Sequence, residues 1–511
     1  MRSPHHIKVA AFCALGIALG GGARAAEVTE ASVRAALPRL DEIVADVLDR
    51  TAVPGIAVGV VYGDKVLYAK GFGVRRAGAP ETVDADTIFQ IASVSKPLAS
   101  TVVAAVIGDG AINWDSHITD LDPNFRMYDP WVSSQVTLRD AFSHRTGMPA
   151  QAGDLLEDLG FDRDMILHQF RYLRPDSSFR SHYAYTNFML TEAGVATARS
   201  AGTDWEDLIV RRLFEPLGMT RSSPREADFY AADNRAAIHF IEDGVATTRF
   251  ERKPDAQSPA GGVSSTVNDM NKWLMLQLNE GAFEGRQVID ADALAATHLP
   301  QVVTGTGRDG RGTFYGLGWI VGYGDDGLVR LSHSGAFFTG ARTEATLLPD
   351  EKLGIVVLAN AFPTGAPEAI TNAFLDTLLL GAPHHDYLPI FEQIFAGMLA
   401  RPEYPAPADP APAMPAATYT GLYANDYYGD AEVTQDESGT LVLMLGPGKR
   451  PFPLRHLDRD SFLFDFLGLG DEGEHTALAS FASADGTTAE ALTIDFLNAT
   501  GQGTFTRAAA N

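Results

Sequence analysis

Cysteine is almost absent from the chain, because Cys13 is the only one among 511 residues. It lies in an N-terminal stretch with a basic start, an apolar run at 9–19 and small residues before Ala25, which are the features of a secretory signal peptide. We expect residues 1–25 to be removed and the mature protein to be periplasmic or secreted. The mature chain then has no thiol, which excludes disulfides, a cysteine nucleophile and cysteine-ligated zinc.

Long apolar runs and positive charge are also scarce. The run at 9–19 is too short to span a bilayer and no later run is longer, so we expect no membrane insertion. The chain has 40 Lys and Arg against 65 Asp and Glu, and its formal charge is −25. Losing residues 1–25 makes it −28, because three basic residues and no acidic ones are removed. So acidic a surface argues against nucleic acid as a partner. It is compatible with small-molecule or short-peptide substrates. The sequence does not determine the oligomeric state.

Several familiar catalytic and metal-binding signatures are missing. The chain has no Gly-x-Ser-x-Gly, so an α/β-hydrolase is poorly supported, and no His-Glu-x-x-His. The pair His384-His385 follows a predicted helix and is interpreted as solvated. The acidic residues from Asp154 to Asp164 lack the calcium-loop pattern. They predict a charged face or, alternatively, a cleft lining that prefers cationic substrates, and we expect no metal or organic cofactor.

The predicted elements occur in the order strands, helices, strands. Two strands are predicted within 56–72, a mostly helical region over 112–300, and further strands over 315–359, the first of them at 315–323. A helix is predicted over 367–380. This order predicts an α/β fold of the α+β type, in which an antiparallel sheet is built from both ends of the domain around a helical insert.

A proline-rich segment predicts a boundary between two domains. Six prolines, interleaved mainly with alanine, lie between 401 and 415 and are typical of a stiff, extended linker. Beyond it, only short strands and turns are predicted. We therefore expect a larger domain at 26–400, a linker at 401–415 and a small all-β, barrel-like domain at 416–511. Most apolar residues of the small domain are expected to form its core, with a ligand cavity as the alternative.

Ser93-Val94-Ser95-Lys96 stands at the start of a helix-like run and carries the first chemical signal. If Ser93 lies in the first helical turn, Lys96 lies on the same face, and the positive end of the helix favours a developing negative charge there. A serine hydroxyl needs a neighbouring base, and lysine serves when burial or nearby positive charge lowers its pKa. An isolated motif of this form is more often a helix cap and a surface lysine, so its interpretation depends on the remaining chain.

Tyr185-Thr186-Asn187, which lies 92 residues after Ser93, supplies two further candidates. A tyrosine near a lysine ammonium can have its pKa lowered enough to act as a base. Asn187 can donate to a substrate carbonyl. The same form recurs at Tyr423, but that copy lies in the predicted β domain and is expected to be structural.

His333-Ser334-Gly335 is predicted at a strand edge and completes the set. Gly335 allows a substrate to approach the backbone closely because it has no side chain. The N–H of Ala336 is then placed to pair with that of Ser93 as an oxyanion hole. Substrate contacts are therefore expected from Ser334, Gly335 and Ala336.

The three motifs together resemble the serine β-lactamase and penicillin-binding-protein family. Within it the chain is most similar to the branch that holds class C β-lactamases, DD-peptidases, D-aminopeptidases and family esterases. The stretches 137–149 and 259–265 also resemble this branch. The resemblance covers about residues 30–385. The segment 416–511 resembles the lipocalin-like β domains appended to some members.

The resemblance implies a role for each motif residue. Ser93 is the acylated nucleophile, Lys96 and Tyr185 share proton transfer, and Asn187 holds the substrate. His333 occupies the position where β-lactamases usually have lysine. A lysine there gives a permanent charge near the carboxylate of penicillins and D-Ala-D-Ala peptides, whereas a histidine is mostly neutral at pH 7. This difference disfavours efficient β-lactam hydrolysis.

The hypothesis from the sequence is an exported serine hydrolase of the Ser-x-x-Lys type. It cleaves an amide bond of small or linear peptides through a Ser93 acyl-enzyme. A carboxylesterase is the next alternative and a β-lactamase the third, while a non-catalytic binder or sensor would be expected to lose Lys96 or Tyr185. Arg342, on the strand of the histidine motif, is expected to face solvent, although it could supply charge for a substrate carboxylate.

Overall fold

The computed structural model describes residues 27–306, 312–324, 327–484 and 486–509. The predicted signal peptide, residues 1–25, lies outside the described residues. Within these ranges, no helix has both the length and the apolar character needed to cross a membrane.

An eight-stranded antiparallel sheet lies at the centre of the larger domain. Its strands are β1 (Gly55–Tyr62), β2 (Lys65–Gly73), β3 (Val302–Thr306), β4 (Gly312–Tyr315), β5 (Ile320–Tyr323), β6 (Val329–Phe337), β7 (Ala341–Leu348) and β8 (Leu353–Ala359). Their order across the sheet is β2-β1-β8-β7-β6-β5-β4-β3. Because β1 pairs with β8, with Ile56 opposite Ala359, the sheet is built from both ends of the domain. The predicted α+β architecture is confirmed.

Helices cover both faces of this sheet. The longer ones are α1 (Glu30–Arg50), α2 (Ser95–Gly108), α3 (Asn187–Ser200), α4 (Val267–Leu278), α5 (Ala366–Leu380) and α6 (Leu388–Leu399). Alternate residues of β1 point to opposite faces. Ile56 and Val58 pack with α1 and α5, whereas Ala57 and Val61 belong to the core that contains α2 and α4. This two-sided cover explains why β7 and β8 are buried along their whole length.

The region between β2 and β3 forms a mostly helical insert. Apart from α2, α3 and α4, its helices are Ile118–Leu121, Pro130–Gln135, Leu138–Phe142, Asp154–Asp158, Arg163–Gln169, Trp205–Ile209, Glu215–Leu217, Glu226–Ala231, Ser258–Gly261 and Ala291–Ala295. Short strands outside the two large sheets are Phe89–Gln90, His239–Glu242, Val245–Thr247, Ser264–Ser265, Ala282–Phe283, Arg286–Gln287 and Ala361–Phe362. Every residue of α2 from Ser95 to Val106 is buried, so α2 passes through the centre of the domain.

The predicted strand over 315–323 is wrong in one respect, because the chain forms two strands there, β4 and β5. Gly318 separates them with a φ of +82°, a left-handed conformation that ends a strand and favours glycine. A Cβ on Gly318 would lie 2.8 Å from the backbone oxygen of Lys96. The break therefore lets the sheet edge approach the start of α2.

The C-terminal domain is a nine-stranded antiparallel sheet that almost closes into a barrel. Its strands are β9 (Gly421–Ala424), β10 (Ala431–Gln435), β11 (Leu441–Leu445), β12 (Arg450–Pro453), β13 (Arg455–Asp458), β14 (Ser461–Leu467), β15 (Glu474–Ala482), β16 (Ala491–Ile494) and β17 (Thr504–Arg507). The two edge strands, β12 and β13, are consecutive in the chain. The predicted barrel-like all-β domain is confirmed.

The proline-rich segment 401–415 has no regular secondary structure and lies along the barrel. The N–H of Ala411 donates to Asp458 at 2.7 Å, and the N–H of Arg459 donates to the Ala411 oxygen at 2.9 Å. The segment is therefore extended but attached to the domain that follows it.

Candidate active site

Ser93 lies in a single 3₁₀ turn, Ala92–Val94, that runs directly into α2. Ala92 has a φ of +48°, a region that residues other than glycine seldom occupy. Strain of this kind persists only where the surrounding structure holds it, and it often accompanies functional sites. Here the turn is tied to the sheet, since Thr343 donates to the Ile91 oxygen at 2.7 Å. Ser93 itself is half-buried and can be reached from solvent.

Lys96 is fully buried, and its amine contacts three acceptors. Nζ lies 3.1 Å from Ser93 Oγ, 2.6 Å from Asn187 Oδ1 and 3.0 Å from the backbone oxygen of Ala260. Burial lowers the pKa of Lys96 to about 7, and the carboxyl group of Asp154 only partly opposes this shift. A large fraction of Lys96 is therefore neutral near neutral pH, which is the form that can accept a proton.

Tyr185 completes the contacts of the serine. Its hydroxyl donates to Ser93 Oγ at 2.8 Å, and the Lys96 amine lies 4.6 Å from the centre of its ring. From the motif spacing we expect the lysine to lower the pKa of this phenol. The structure gives the opposite direction, because burial raises the pKa of Tyr185 and the Ser93 contact does not compensate. Tyr185 is thus a phenol that donates hydrogen bonds.

Asn187 is the first residue of α3 and bridges Lys96 to an acidic residue. Its Oδ1 accepts from Lys96, while its Nδ2 donates to Asp154 Oδ2 at 3.0 Å. Burial and the nearby Glu157 charge raise the pKa of Asp154 well above its usual range. The sequence placed Asp154 on a charged face or a cleft lining but gave it no contact with the motifs. The only sequence feature that pointed to Asp154 was its position in the acidic run from Asp154 to Asp164.

His333 lies in β6 and is 1% exposed. Its Nδ1 lies 2.7 Å from the Ser334 oxygen, and its Nε2 lies 2.8 Å from the Tyr315 hydroxyl. Because a carbonyl oxygen only accepts, Nδ1 carries the hydrogen and Nε2 accepts from Tyr315. Burial, followed by the charge of Lys96, lowers the pKa of His333 to about 3. The histidine is therefore neutral across the physiological range.

His144 is a residue of the site that the motif argument did not assign. Its ring lies 4.7 Å from that of Tyr185 and 4.8 Å from that of Tyr315, so it packs between the tyrosines that contact Ser93 and His333. Its Nδ1 accepts from the Thr186 N–H at 3.2 Å. Burial lowers its pKa well below the usual value, so it is neutral. The sequence feature that could have identified His144 is its position in the stretch 137–149, which resembles the same family branch.

The edge of β6 comes very close to the nucleophile. A Cβ on Gly335 would lie 2.4 Å from the Ile91 oxygen and 3.0 Å from the Ser93 nitrogen, so only glycine fits. Ser334 and Ala336 alternate with the residues that face the site, and their side chains point to the other face of the sheet. There the Ser334 hydroxyl donates to Glu368 Oε1 at 2.9 Å.

The geometry therefore brings Ser93, Lys96, Tyr185 and Asn187 into one hydrogen-bonded group beside β6. Comparison with known proteins agrees with the assignment. A family model described as Beta-lactamase matches residues 40–378. The chain belongs to the Beta-lactamase family. A second model, described as a domain of unknown function, matches residues 405–505.

Several known proteins are similar to this chain over more than half of its length. An unguisins hydrolase of Aspergillus campestris is 27% identical over 433 residues, which is 78% of each chain. The D-alanyl-D-alanine-carboxypeptidase/endopeptidase AmpH of Escherichia coli K12 is 23% identical over 352 residues, 65% of this chain and 88% of that one. Penicillin-binding protein 4 of Amycolatopsis lactamdurans is 28% identical over 296 residues, 56% and 75% of the two chains.

A solved structure supports the fold alone. The octameric penicillin-binding protein homologue from Pyrococcus abyssi superposes with a TM-score of 0.59 at 19% identity, covering 90% of this chain and 98% of that chain.

The family predicted from the three motifs is confirmed by the family model and the similar proteins. The protein is a serine hydrolase of the Beta-lactamase family.

One expectation near the Beta-lactamase motifs is wrong, since Arg342 does not face solvent. The residue is 3% exposed, its guanidinium contacts Glu368 on α5 and lies 4.3 Å from the centre of the Phe395 ring of α6. The sequence did not predict α6, and α5 and α6 together cover this face of the sheet. The charge of Arg342 is therefore engaged in the interior and not presented to the cleft.

The site holds no evident place for a metal ion. In the part of the chain that the structure describes, no group of three or more His, Cys, Asp or Glu side chains is arranged to bind one. The side chains around Ser93 are instead those of acyl transfer, in which a nucleophile, a base and a hydrogen-bond donor meet at one oxygen.

Proposed function

We propose that this protein is an exported serine peptidase that cleaves an amide bond of small or linear peptides through a Ser93 acyl-enzyme. The observation that carries the proposal is the contact between Lys96 Nζ and Ser93 Oγ at 3.1 Å, made by an amine whose pKa burial lowers to about 7. Such an amine is close to the ideal for a general base at neutral pH.

The acceptors around Lys96 direct its lone pair. A neutral amine has two hydrogens and one lone pair. Asn187 Oδ1 and the Ala260 oxygen can only accept, so the two hydrogens point to them. The lone pair then points to Ser93 Oγ. In the first step the Ser93 oxygen attacks the substrate carbonyl, a C–O bond forms, and the serine proton passes to Lys96.

Tyr185 acts in the second half of the acylation step. The leaving amine must gain a proton as its bond to the carbonyl carbon breaks. Tyr185 and Lys96 together deliver that proton, since the phenol is protonated and lies 2.8 Å from the same oxygen. Water then attacks the Ser93 ester with Lys96 as base, which releases the acid and restores the serine.

An oxyanion hole at the backbone of Ser93 and Ala336 fits the close approach of β6. The absent side chain of Gly335 lets this strand lie against the Ser93 nitrogen. N–H groups held in such a position stabilise the negative charge that develops on the carbonyl oxygen. The backbone of Gly335 and Ala336 is thus assigned to substrate binding. The Ser334 side chain instead donates to Glu368 on the other face of the sheet.

Charge around the site disfavours a β-lactam substrate. His333 is neutral, and Arg342 is engaged with Glu368 on the far face of the sheet. Neither His333 nor Arg342 therefore presents a permanent cation to the carboxylate that β-lactams carry. The names of two relatives, a carboxypeptidase/endopeptidase and a hydrolase of unguisins, agree with peptide substrates. Export rests on the predicted signal peptide at 1–25.

The test is a hydrolysis screen with wild-type protein and the Ser93→Ala variant. Substrates are p-nitrophenyl esters, nitrocefin, D- and L-amino-acid amides and short linear peptides. We expect turnover of amides or peptides that is lost in Ser93→Ala, together with fluorophosphonate labelling of wild type alone. Dominant nitrocefin turnover would contradict the charge argument, and dominant ester turnover would favour a carboxylesterase. A folded wild type that is not labelled would favour a non-catalytic binder.

A further inference from the structure

The short helix Asp154–Asp158 lies between the catalytic group and the C-terminal domain, and we call it the bridging helix. On its catalytic side, Asp154 Oδ2 accepts from Asn187 Nδ2 at 3.0 Å. In this contact Asp154 Oδ2 is the acceptor, so Nδ2 of Asn187 is turned toward Asp154 and Oδ1 is left for Lys96. If the amide were reversed, an N–H of Asn187 would face Lys96 and compete with Ser93 for the lone pair of the neutral Lys96 amine.

The C-terminal domain contacts both ends of the bridging helix, at Gly153 before its first residue and at Asp158, its last. The N–H of Gly153 donates to the Tyr427 hydroxyl at 3.0 Å. The Asp158 carboxylate accepts from the backbone N–H of Gly470 at 2.9 Å and of Glu472 at 3.1 Å. Asp158 is 2% exposed and Tyr427 is 4% exposed, so these contacts are shielded from water. Hydrogen bonds in such an environment hold the chain firmly.

The loop between β14 and β15, residues 468–473, binds Asp158 and also contacts the end of β6. In this loop, Asp471 accepts from the backbone N–H of Phe338 at 2.8 Å. Phe338 directly follows β6, the strand that carries His333 and Gly335. One loop of the C-terminal domain therefore contacts both the bridging helix and the end of the strand beside Ser93.

We propose that the C-terminal β domain is a positioning element of the active site. It holds the bridging helix so that Asp154 fixes the amide of Asn187 and, through it, the direction of the Lys96 lone pair. This inference rests on the proposed function, because it assigns Lys96 as the base. It assigns a role to the segment that matches the model described as a domain of unknown function.

The first test compares two substitutions of the positioning residue Asp154 in the full-length chain. The readout is the rate at which a fluorophosphonate labels Ser93, which requires the serine and its base but no peptide recognition. We expect Asp154→Ala to slow labelling by about tenfold or more, because small displacements of catalytic groups are costly. Asp154→Asn should stay within about threefold of wild type, because its amide oxygen still accepts from Asn187. Equal rates for wild type and Asp154→Ala would overturn the proposal, as would equal losses in both variants.

The second test asks whether the C-terminal domain acts through Asp154. Tyr427→Phe removes one buried hydroxyl at the bridging helix and should slow labelling severalfold. Arg249→Ala is the matched control, because its contact with Glu474 also joins the two domains but lies on the surface, away from the bridging helix. The control should label at the wild-type rate.

The double variant Tyr427→Phe/Asp154→Ala decides between coupled and independent effects. If the domain acts through Asp154, the double variant is no slower than Asp154→Ala, whereas independent effects multiply. Multiplying effects would overturn the proposal. Circular dichroism checks that each variant is folded, and Tyr427→Phe keeps the test decisive if Asp154→Ala does not fold. Failure of wild type to label would count against the proposed function and is distinct from these outcomes.

Discussion

Lys96 and Arg252 are both fully buried, yet the structure treats their charges in opposite ways. Burial alone would lower the pKa of Arg252, but the carboxylate of Glu157 at 2.6 Å outweighs it and the pKa is raised. Lys96 contacts no carboxylate among the described residues, and burial lowers its pKa to about 7. A buried cation with a partner is a structural ion pair, and one without a partner becomes a base.

Replacing Lys96 by arginine, a cation that stays protonated, should have the largest effect on catalysis. In Lys96→Arg the guanidinium stays protonated at every working pH, so it cannot accept the serine proton. We expect the rate of Ser93 labelling and kcat to fall by about 10³-fold, as in Lys96→Ala. Labelling rates measured on folded protein check this. Retention of most activity by Lys96→Arg would show that a neutral amine is not required.

Removing the partnered cation should affect stability. Arg252→Met leaves Glu157 buried without its ion pair, and such a loss lowers the free energy of unfolding by about 3–5 kcal/mol. Urea unfolding of wild type and variant measures the difference. The double variant Arg252→Met/Glu157→Leu is the control and should recover most of the stability, because it removes both charges. An unchanged unfolding midpoint in Arg252→Met would contradict the assignment.

Tyr185→Phe should have an intermediate effect on catalysis. It removes the hydroxyl that donates to Ser93 at 2.8 Å but leaves the ring against Lys96 and His144. We expect kcat for an amide substrate to fall by about 10²-fold. An activated ester needs less help for its leaving group and should lose less, so the ratio of the two losses is the measurement. Equal losses would argue against proton donation by Tyr185.

The smallest effect is expected at His333, although histidine is ordinarily the side chain that titrates near pH 7. Burial lowers the pKa of His333 to about 3, so it stays neutral while Lys96 titrates. In His333→Gln the acid limb of the pH profile of kcat/KM should stay within about half a pH unit of wild type. Disappearance of that limb in the variant would assign it to the histidine.

Local features of the site could be predicted from the sequence because they depend on short-range geometry. The spacing of Ser93 and Lys96 fixes their contact through one helical turn. The strand edge at Gly335 follows from the pattern of apolar residues and from a glycine at the close approach. The antiparallel sheet could be predicted from the order of elements along the chain.

Other features depend on how distant segments meet, and local patterns do not contain them. Arg342 is buried because α5 and α6 cover the sheet, and α6 was not predicted. The direction of the Tyr185 pKa shift depends on the depth of burial, which the spacing of motifs does not determine. The contact between Asp154 and Asn187 joins residues 33 positions apart, and a domain beyond the linker holds it in place.

The central claim is that Lys96 is the base for Ser93, and the pH dependence of labelling tests it most directly. The measurement is the rate at which a fluorophosphonate modifies wild-type Ser93 between about pH 5 and about pH 9. A lysine with a pKa of about 7 is protonated below that pH and neutral above it. The rate should therefore rise about tenfold per pH unit below pH 7 and then level off. A rate that is constant over this range would contradict the account.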